Sequence, residues 1–214
     1  MMTAPHLVYV ADPMCSWCWG FSPVVEAIRR RFGEALPIRP MMGGLRPQTT
    51  KVMDAAARQT IRTHWEHVHE ATGQPFDWGF FDREGFVYDT DPAARAVVVV
   101  RRTGTAQALD TLRAVQHAFY AENRDVTDAA VLADLAASTA GIDRDGFLEA
   151  FGSEDAKQET WRDYGISHQA GITGFPTLLA GQGGGTPYLP VTRGYQPPDS
   201  IIPALERWLA TAAG

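Results

Sequence analysis

Cysteine is scarce in this chain: its 214 residues contain only Cys15 and Cys18, which form a C-x-x-C pair. A structural zinc site usually takes four ligands, and there is no second cysteine pair to supply the other two. A disulfide between these neighbours would close almost no loop and would add little stability. This composition leaves two alternatives open. The cysteines are either buried and packed as small apolar side chains, or they form a redox-active dithiol.

The chain also lacks an excess of positive charge and a long hydrophobic run. Its net charge is −6 and no basic stripe is present, so we expect neither nucleic acid nor an anionic membrane as a partner. The densest apolar run, Ala96 to Val100, is flanked by Arg95 and Arg101, which argues against a membrane span. The first residues lack the basic region of a secretory signal. We therefore expect a cytoplasmic protein with reduced cysteines at rest.

The position of the C-x-x-C pair favours redox chemistry. A short apolar run, Leu7 to Ala11, predicts a buried strand, and a helical pattern follows from about Ser16 to Phe32. If Cys15 caps this helix, the free N–H groups of the first turn and the positive helix end stabilise its thiolate. Such a thiol has a pKa of about 3.5 to 7.5 instead of about 8.5. Cys18, one turn later, is then placed to resolve a mixed disulfide at Cys15.

The rest of the chain predicts an α/β fold in the order βαβ, helical block, ββα. Strand patterns occur at 37–42, 176–180 and 188–191, helical patterns fill most of 47–165, and a terminal amphipathic helix covers 198–211. Strands from both ends must share one sheet, because two isolated pairs would be marginally stable. We predict one discontinuous domain, 1–46 with 166–214, and a helical insertion domain, 47–165. Pro23 predicts either a kink in the first helix or a second helix that starts there.

Two other sets of residues are candidates for a site. His64, His67 and His69 lie in one predicted helix but lack the H-E-x-x-H spacing of a zinc site, so we expect a solvated helix face and no metal. Several aromatic residues could line an apolar groove for a peptide, although we expect at least half of them to be in the core. These residues are Trp17, Trp19, Phe21, Trp78, Phe80, Phe81 and Phe175.

Two motifs together resemble the DsbA family of thioredoxin-fold oxidoreductases. They are Cys15-Ser16-Trp17-Cys18 and the segment Gly174-Phe175-Pro176-Thr177 before a late strand. The opening D-P-x-C-x-W-C-x-G is most similar to the cytoplasmic FrnE-like branch. The resemblance implies a thioredoxin-like fold with a large helical insertion and a cis Phe175–Pro176 bond that faces the dithiol.

The resemblance also implies roles for individual residues. Cys15, Cys18 and Pro176 would be catalytic, and substrate would contact Ser16, Trp17, Phe175 and Thr177. It implies no cofactor beyond the dithiol, with protein or peptide thiols and disulfides as substrates and glutathione as an optional co-substrate. The dipeptide Ser16-Trp17 differs from the Pro-His and Gly-Pro of better-known relatives, so the direction of electron flow does not carry over.

Two alternative functions remain at this point. One is a glutathione-dependent transferase or isomerase of the same fold; such relatives typically have serine at the reactive position, whereas this chain keeps both cysteines. The other is a non-catalytic peptide-binding module whose dithiol is a redox switch.

Overall fold

The structure, a computed structural model, describes residues 4–212 and is organised around a four-stranded mixed sheet with strand order β2-β1-β3-β4. Strand β1 (His6–Ala11) pairs in parallel with β2 (Ile38–Met42) and antiparallel with β3 (Thr177–Gly181). Strand β4 (Leu189–Arg193) completes the sheet as the antiparallel partner of β3. Strands from both ends of the chain therefore share one sheet, which confirms the predicted βαβ…ββα order.

Helices cover the sheet and fill the long connection between β2 and β3. Helix α1 (Ser16–Phe32) follows β1, and α8 (Pro198–Ala212) follows β4. Four of the intervening helices start at an Asp or Ser whose side chain accepts a backbone N–H of the first turn, which is the usual N-cap chemistry. The last intervening helix extends past residue 165, the predicted end of the insertion. The intervening helices are α2 (Ala55–Thr72), α3 (Asp91–Arg101), α4 (Thr105–Tyr120), α5 (Ala129–Ala140), α6 (Arg144–Gly152) and α7 (Glu154–Gln169).

Helix α1 continues through Pro23, so the alternative of a second helix starting there is wrong. Proline has no N–H to donate to the carbonyl of Trp19, four residues earlier. That carbonyl instead accepts hydrogen bonds from the Ser22 hydroxyl and from the Gln74 amide, both at 2.9 Å. The second bond links α1 to the segment that follows α2.

Helix α3 separates two hydrophobic cores. Its Ala96, Val99 and Val100 pack into the core of the insertion, whereas Val97 and Val98 pack into the core beneath the sheet. A helix that is apolar on all sides is buried on all sides. The C-x-x-C segment lies at the same boundary: Cys15 and Cys18 belong to the sheet core, and their neighbours Met14 and Trp19 to the insertion core.

Candidate active site

Cys15 is the N-cap residue of α1, with an extended backbone conformation (φ −95°, ψ 118°). Its carbonyl accepts the N–H of Trp19, and its own N–H donates to the carbonyl of Asp12, both at 3.1 Å. Its side chain therefore lies at the positive end of the helix. Cys15 is 7% exposed and Cys18 is 0% exposed. Both cysteines are buried, but Cys15 is the more exposed of the two, which is the order that their places in the helix predicted.

Cys18 is completely buried, and burial raises the pKa of its thiol well above the usual value. The neighbouring Cys15 sulfur adds to this effect. A thiol in apolar surroundings stays protonated because the charged thiolate is poorly solvated there. Cys18 is therefore a protonated thiol that lies one helical turn behind Cys15.

The segment before β3 faces Cys15 from across the sheet. The Phe175–Pro176 peptide bond is cis in the structure. The carbonyl of Phe175 lies 3.7 Å from the Cys15 Sγ and accepts its S–H, although the two residues are 160 positions apart. The carbonyl of Pro176 accepts the N–H of Gly194 at 2.7 Å, which attaches this segment to the residue after β4.

Gly43 allows Phe175 to take up its position. Gly43 follows β2 directly, and a Cβ atom built on it would lie 2.1 Å from the Phe175 ring. Real Cβ atoms do not approach another carbon so closely, so a larger residue would displace the ring. Gly43 N–H also donates to the carbonyl of Ala11 at 2.8 Å. The end of β2 thus supports the residue whose carbonyl faces the reactive sulfur.

A cavity of about 200 Å³ opens beside Cys15. Its walls come from the start of α1, the loop after β2, helix α2 and the segment before β3. Arg46 is the charged side chain that lines it, and the imidazole of His64 lies at its border. Tyr88 stabilises one wall, because its hydroxyl donates to the Met14 carbonyl at 2.8 Å. The lining residues are Met14, Cys15, Ser16, Trp17, Leu45, Arg46, Ile61, His64, Trp65, Tyr88, Thr173, Gly174 and Phe175.

The chain matches the family described as the DSBA-like thioredoxin domain over residues 6–204. The chain belongs to this family. The α/β class and the thioredoxin-like fold with a helical insertion are thereby confirmed, as is the resemblance from which they were expected.

Solved structures of similar proteins cover nearly the whole of this DSBA-like chain. A candidate protein disulfide isomerase from Nitrosomonas europaea is 40% identical, with a TM-score of 0.89 over 97% of this chain and 98% of that one. The cytosolic disulfide reductase DsbM from Pseudomonas aeruginosa is 26% identical, with a TM-score of 0.77 over 96% and 99% of the two chains. DsbM has also been solved with GSH.

A more distant relative has a different role. The ClpXP adapter protein SpxH of Bacillus subtilis is 23% identical over 176 residues, or 81% of this chain. The chain spans 58% of the length of that protein. The proteins similar to this chain therefore include a named disulfide reductase as well as a named adapter protein.

Asp12, directly after β1 in this DSBA-like chain, connects the dithiol segment to the loop after β2. One carboxylate oxygen accepts the N–H of Met14 at 2.9 Å, and the other accepts the N–H of Leu45 at 2.8 Å. Asp12 is fully buried, and burial raises its pKa to about 6 although both hydrogen bonds act in the opposite direction. Asp12 thus holds the Leu45 wall of the cavity next to Cys15.

The raised pKa of Asp12 predicts a specific dependence of stability on pH. Because the folded-state pKa of about 6 exceeds the unfolded value of 3.8, the folded protein binds more protons between these values. The contribution of Asp12 to the stability of the protein therefore falls as pH rises from about 4 to about 6 and then levels off. We expect Asp12→Asn to remove about 3 kcal/mol of this pH dependence, at about 1.36 kcal/mol per pKa unit. Urea unfolding of both proteins at several pH values measures the difference.

The substitution also has a constant cost, because an amide can accept only one of the two backbone N–H groups that the carboxylate accepts. The informative quantity is therefore the difference in slope between the two proteins, not their difference at one pH. Parallel stability curves from pH 4 to pH 7 would contradict a buried, titrating Asp12.

Of the predicted substrate-binding residues, Ser16, Trp17 and Phe175 line the cavity, and Thr177 does not. Thr177 is 2% exposed, and its hydroxyl donates to the carbonyl of Gly174 at 2.8 Å. Its side chain stabilises the turn that carries Phe175 and Pro176. A direct contact between Thr177 and substrate remains a prediction.

Most of the aromatic residues proposed for a groove lie elsewhere. Only Trp17 and Phe175 line the cavity, while Trp78 packs on the insertion core without lining it. Trp19, Phe21, Phe80 and Phe81 are buried in the two cores. The expectation that at least half would be core residues is confirmed.

Several cavity residues were not identified from the sequence. Leu45 and Arg46 follow β2 as Cys15 follows β1, and the ends of parallel strands meet at one edge of a sheet, so they could have been found. Ile61 and Trp65 lie on one face of α2, together with His64, which was expected to be a solvated residue. His64 is exposed, but it also borders the cavity.

Two expected absences concern metals and membranes. Within residues 4–212, no group of three or more His, Cys, Asp or Glu side chains is arranged to hold a metal ion. In the same part of the chain, no helix is both long enough and apolar enough to span a bilayer.

Proposed function

We propose that this protein catalyses thiol–disulfide exchange on protein or peptide substrates with Cys15 and Cys18 as its redox pair. One observation carries the proposal: the Cys15 Sγ lies at the cavity opposite the Phe175 carbonyl, and Cys18 is buried one helical turn behind it. The dithiol itself supplies the chemistry, so the reaction requires no further cofactor.

In the reducing direction, the Cys15 thiolate attacks one sulfur of a substrate disulfide and expels the other as a thiolate. Cys18 then loses its proton and attacks the Cys15 sulfur, which releases the second substrate thiol and leaves a Cys15–Cys18 disulfide. Two electrons pass from the protein to the substrate. The same steps in reverse oxidise a dithiol substrate.

The segment before β3 offers a backbone edge to an extended substrate. The Phe175 N–H has no hydrogen-bond partner among residues 4–212. An extended peptide could accept this N–H and place its own cysteine next to Cys15, as in strand addition. The 200 Å³ cavity would then hold the substrate cysteine and one neighbouring side chain.

Glutathione is the co-substrate that the comparisons favour. DsbM has been solved with GSH, and the cavity beside Cys15 is small and lined by the cationic Arg46 with no acidic residue. A short anionic thiol fits this environment, and it could return the protein disulfide to the dithiol in the cytoplasm, where we place the protein. A non-catalytic adapter role, suggested by SpxH, is the alternative function.

A Cys18→Ser substitution tests the proposed function by removing the resolving thiol but not the attacking one. We expect the variant to accumulate mixed disulfides with cell proteins or glutathione, because the second step is blocked. Non-reducing gels and mass spectrometry detect them as reductant-sensitive adducts. The Cys15→Ser variant is the matched control and should form none. A folded Cys18→Ser protein without adducts would favour the adapter role.

A further inference from the structure

A second cavity, of about 260 Å³, adjoins the segment 173–175 that borders the Cys15 cavity. Both cavities are lined by Thr173, Gly174 and Phe175. A substrate that lies along this segment therefore passes both cavities. The second cavity holds no group of the redox chemistry.

Arg193 is the charged residue of the second cavity, whose other lining residues are uncharged. It is the last residue of β4 and pairs with Thr177, one residue after Pro176. The hydrogen bond from the next residue, Gly194, to the Pro176 carbonyl fixes this end of β4 against the cis bond. The position of the Arg193 backbone relative to Cys15 is therefore set by the fold.

The Arg193 side chain is exposed and makes no salt bridge with any residue of 4–212. Some arginines of this protein, such as Arg29, Arg101 and Arg144, are paired with carboxylates, whereas Arg193 is one of those that are not. Arg46 and Arg193 line the two cavities, and no acidic residue lines either of them. The protein as a whole carries a net charge of −6, so the surface around the two cavities differs in sign from the protein as a whole.

We propose that Arg193 is a specificity residue that binds a carboxylate of the substrate near the disulfide under attack. The proposal rests on the proposed function and narrows its substrate class to anionic peptide disulfides. In an extended strand, residues two positions apart point to the same side and lie about 7 Å apart. A Glu two residues from the substrate cysteine would reach past Phe175 toward Arg193 while the cysteine sulfur meets Cys15.

Two sources supply this chemistry. One is a polypeptide with an acidic side chain near its cysteine, and the other is glutathione, a short peptide with carboxylates on both sides of its cysteine. The experiment therefore has two arms, each of which compares a charged substrate with its neutral analogue.

In the first arm, pre-reduced protein reacts with short peptides whose single cysteine carries a 2-thiopyridyl group. Cys15 attacks the peptide sulfur and expels pyridine-2-thiolate, which is protonated to the thione and followed by absorbance. Cys18 then releases the peptide thiol. Peptides with Glu, Gln or Lys two residues before or after cysteine are compared at low salt. An exposed ion pair gives at most about a fivefold preference for Glu over Gln.

We expect Arg193→Gln to reduce this preference to less than about twofold, and added salt to reduce it in the wild-type protein. Arg39→Gln is the matched control, because Arg39 is exposed on the edge strand β2 and lines neither cavity. It should keep the full preference. The second arm repeats the comparison with glutathione disulfide and its ethyl ester.

If Arg193→Gln loses the preference for Glu peptides, the carboxylate that Arg193 binds belongs to a polypeptide substrate. If Arg193→Gln loses the preference for glutathione disulfide over its ester, that carboxylate belongs to glutathione. Equal rates for charged and neutral substrates, or a preference that survives Arg193→Gln in both arms, would overturn the proposal. The neutral peptides report separately on the proposed function, because their reaction requires Cys15 but not Arg193.

Discussion

Replacement of Cys15 by serine is expected to abolish disulfide reduction, with an insulin-reduction rate at least about a thousandfold below that of the wild-type protein. The substitution removes the one sulfur that reaches the cavity, and the fully buried Cys18 cannot replace it. A serine hydroxyl at a helix N-terminus stays protonated at neutral pH and is a poor nucleophile toward sulfur. Turnover with excess reductant measures the loss.

Single-turnover kinetics separate this loss from misfolding. Cys18→Ser should still give one equivalent of product as it forms a mixed disulfide, whereas Cys15→Ser should give none. Cys15→Ser should unfold at a urea concentration close to that of the wild-type protein, because Cys15 lies at the cavity. Cys18→Ser should unfold at a lower urea concentration, because its hydroxyl is buried in apolar surroundings, so circular dichroism must show that it is folded in the assay. A folded Cys15→Ser protein that still reduces insulin would exclude the proposed dithiol mechanism.

Trp65→Ala is expected to cost about 3–5 kcal/mol of unfolding free energy, the usual range for a large aromatic residue removed from a core. Trp65 is 1% exposed and lies in the centre of the insertion core. Its ring centroid is within about 5 Å of the rings of Phe80, Phe81 and Tyr120. Urea unfolding followed by circular dichroism measures the change.

Trp161→Ala is the matched control for this substitution. Trp161 is 43% exposed, and it contacts the Tyr164 ring at 5.4 Å on the surface of α7. We expect it to cost less than about 1 kcal/mol, as surface substitutions usually do. If the two variants lost the same free energy, the ring cluster around Trp65 would not be the centre of the core. Because Trp65 also lines the Cys15 cavity, the folded fraction should react more slowly with substrate.

Local signals explain why much of the fold could be predicted. Residues close together in the chain form each of three elements. They are strand β1 before Cys15, helix α1, which Cys15 caps, and the late hairpin of β3 and β4. These signals are the hydrophobic periodicity, the N-cap residues and the glycines in turns. Each involves only a few neighbouring residues, so the sequence alone is enough to predict the element. The sequence also predicted that strands from the two ends of the chain pair in one sheet, because neither pair of strands would be stable alone.

The wall of the site opposite Cys15 could not be predicted in the same way. Trp65, Tyr88 and Thr173 come from three separate segments and meet only because the helical insertion packs over the sheet. The distribution of aromatic residues between cavity and core has the same cause, since a tryptophan suits either environment. No local pattern distinguishes Trp17, which lines the cavity, from Trp19, which is buried.

The sequence alone determined the C-x-x-C pair, the order of burial of its two cysteines and the class of fold, because these depend on spacing along one strand and one helix. Only the tertiary structure decided that Gly43 supports Phe175, that burial raises the pKa of Asp12 to about 6, and that Arg193 lies beside the cis bond. Contact and desolvation depend on how distant segments pack, and packing is a property of the whole chain.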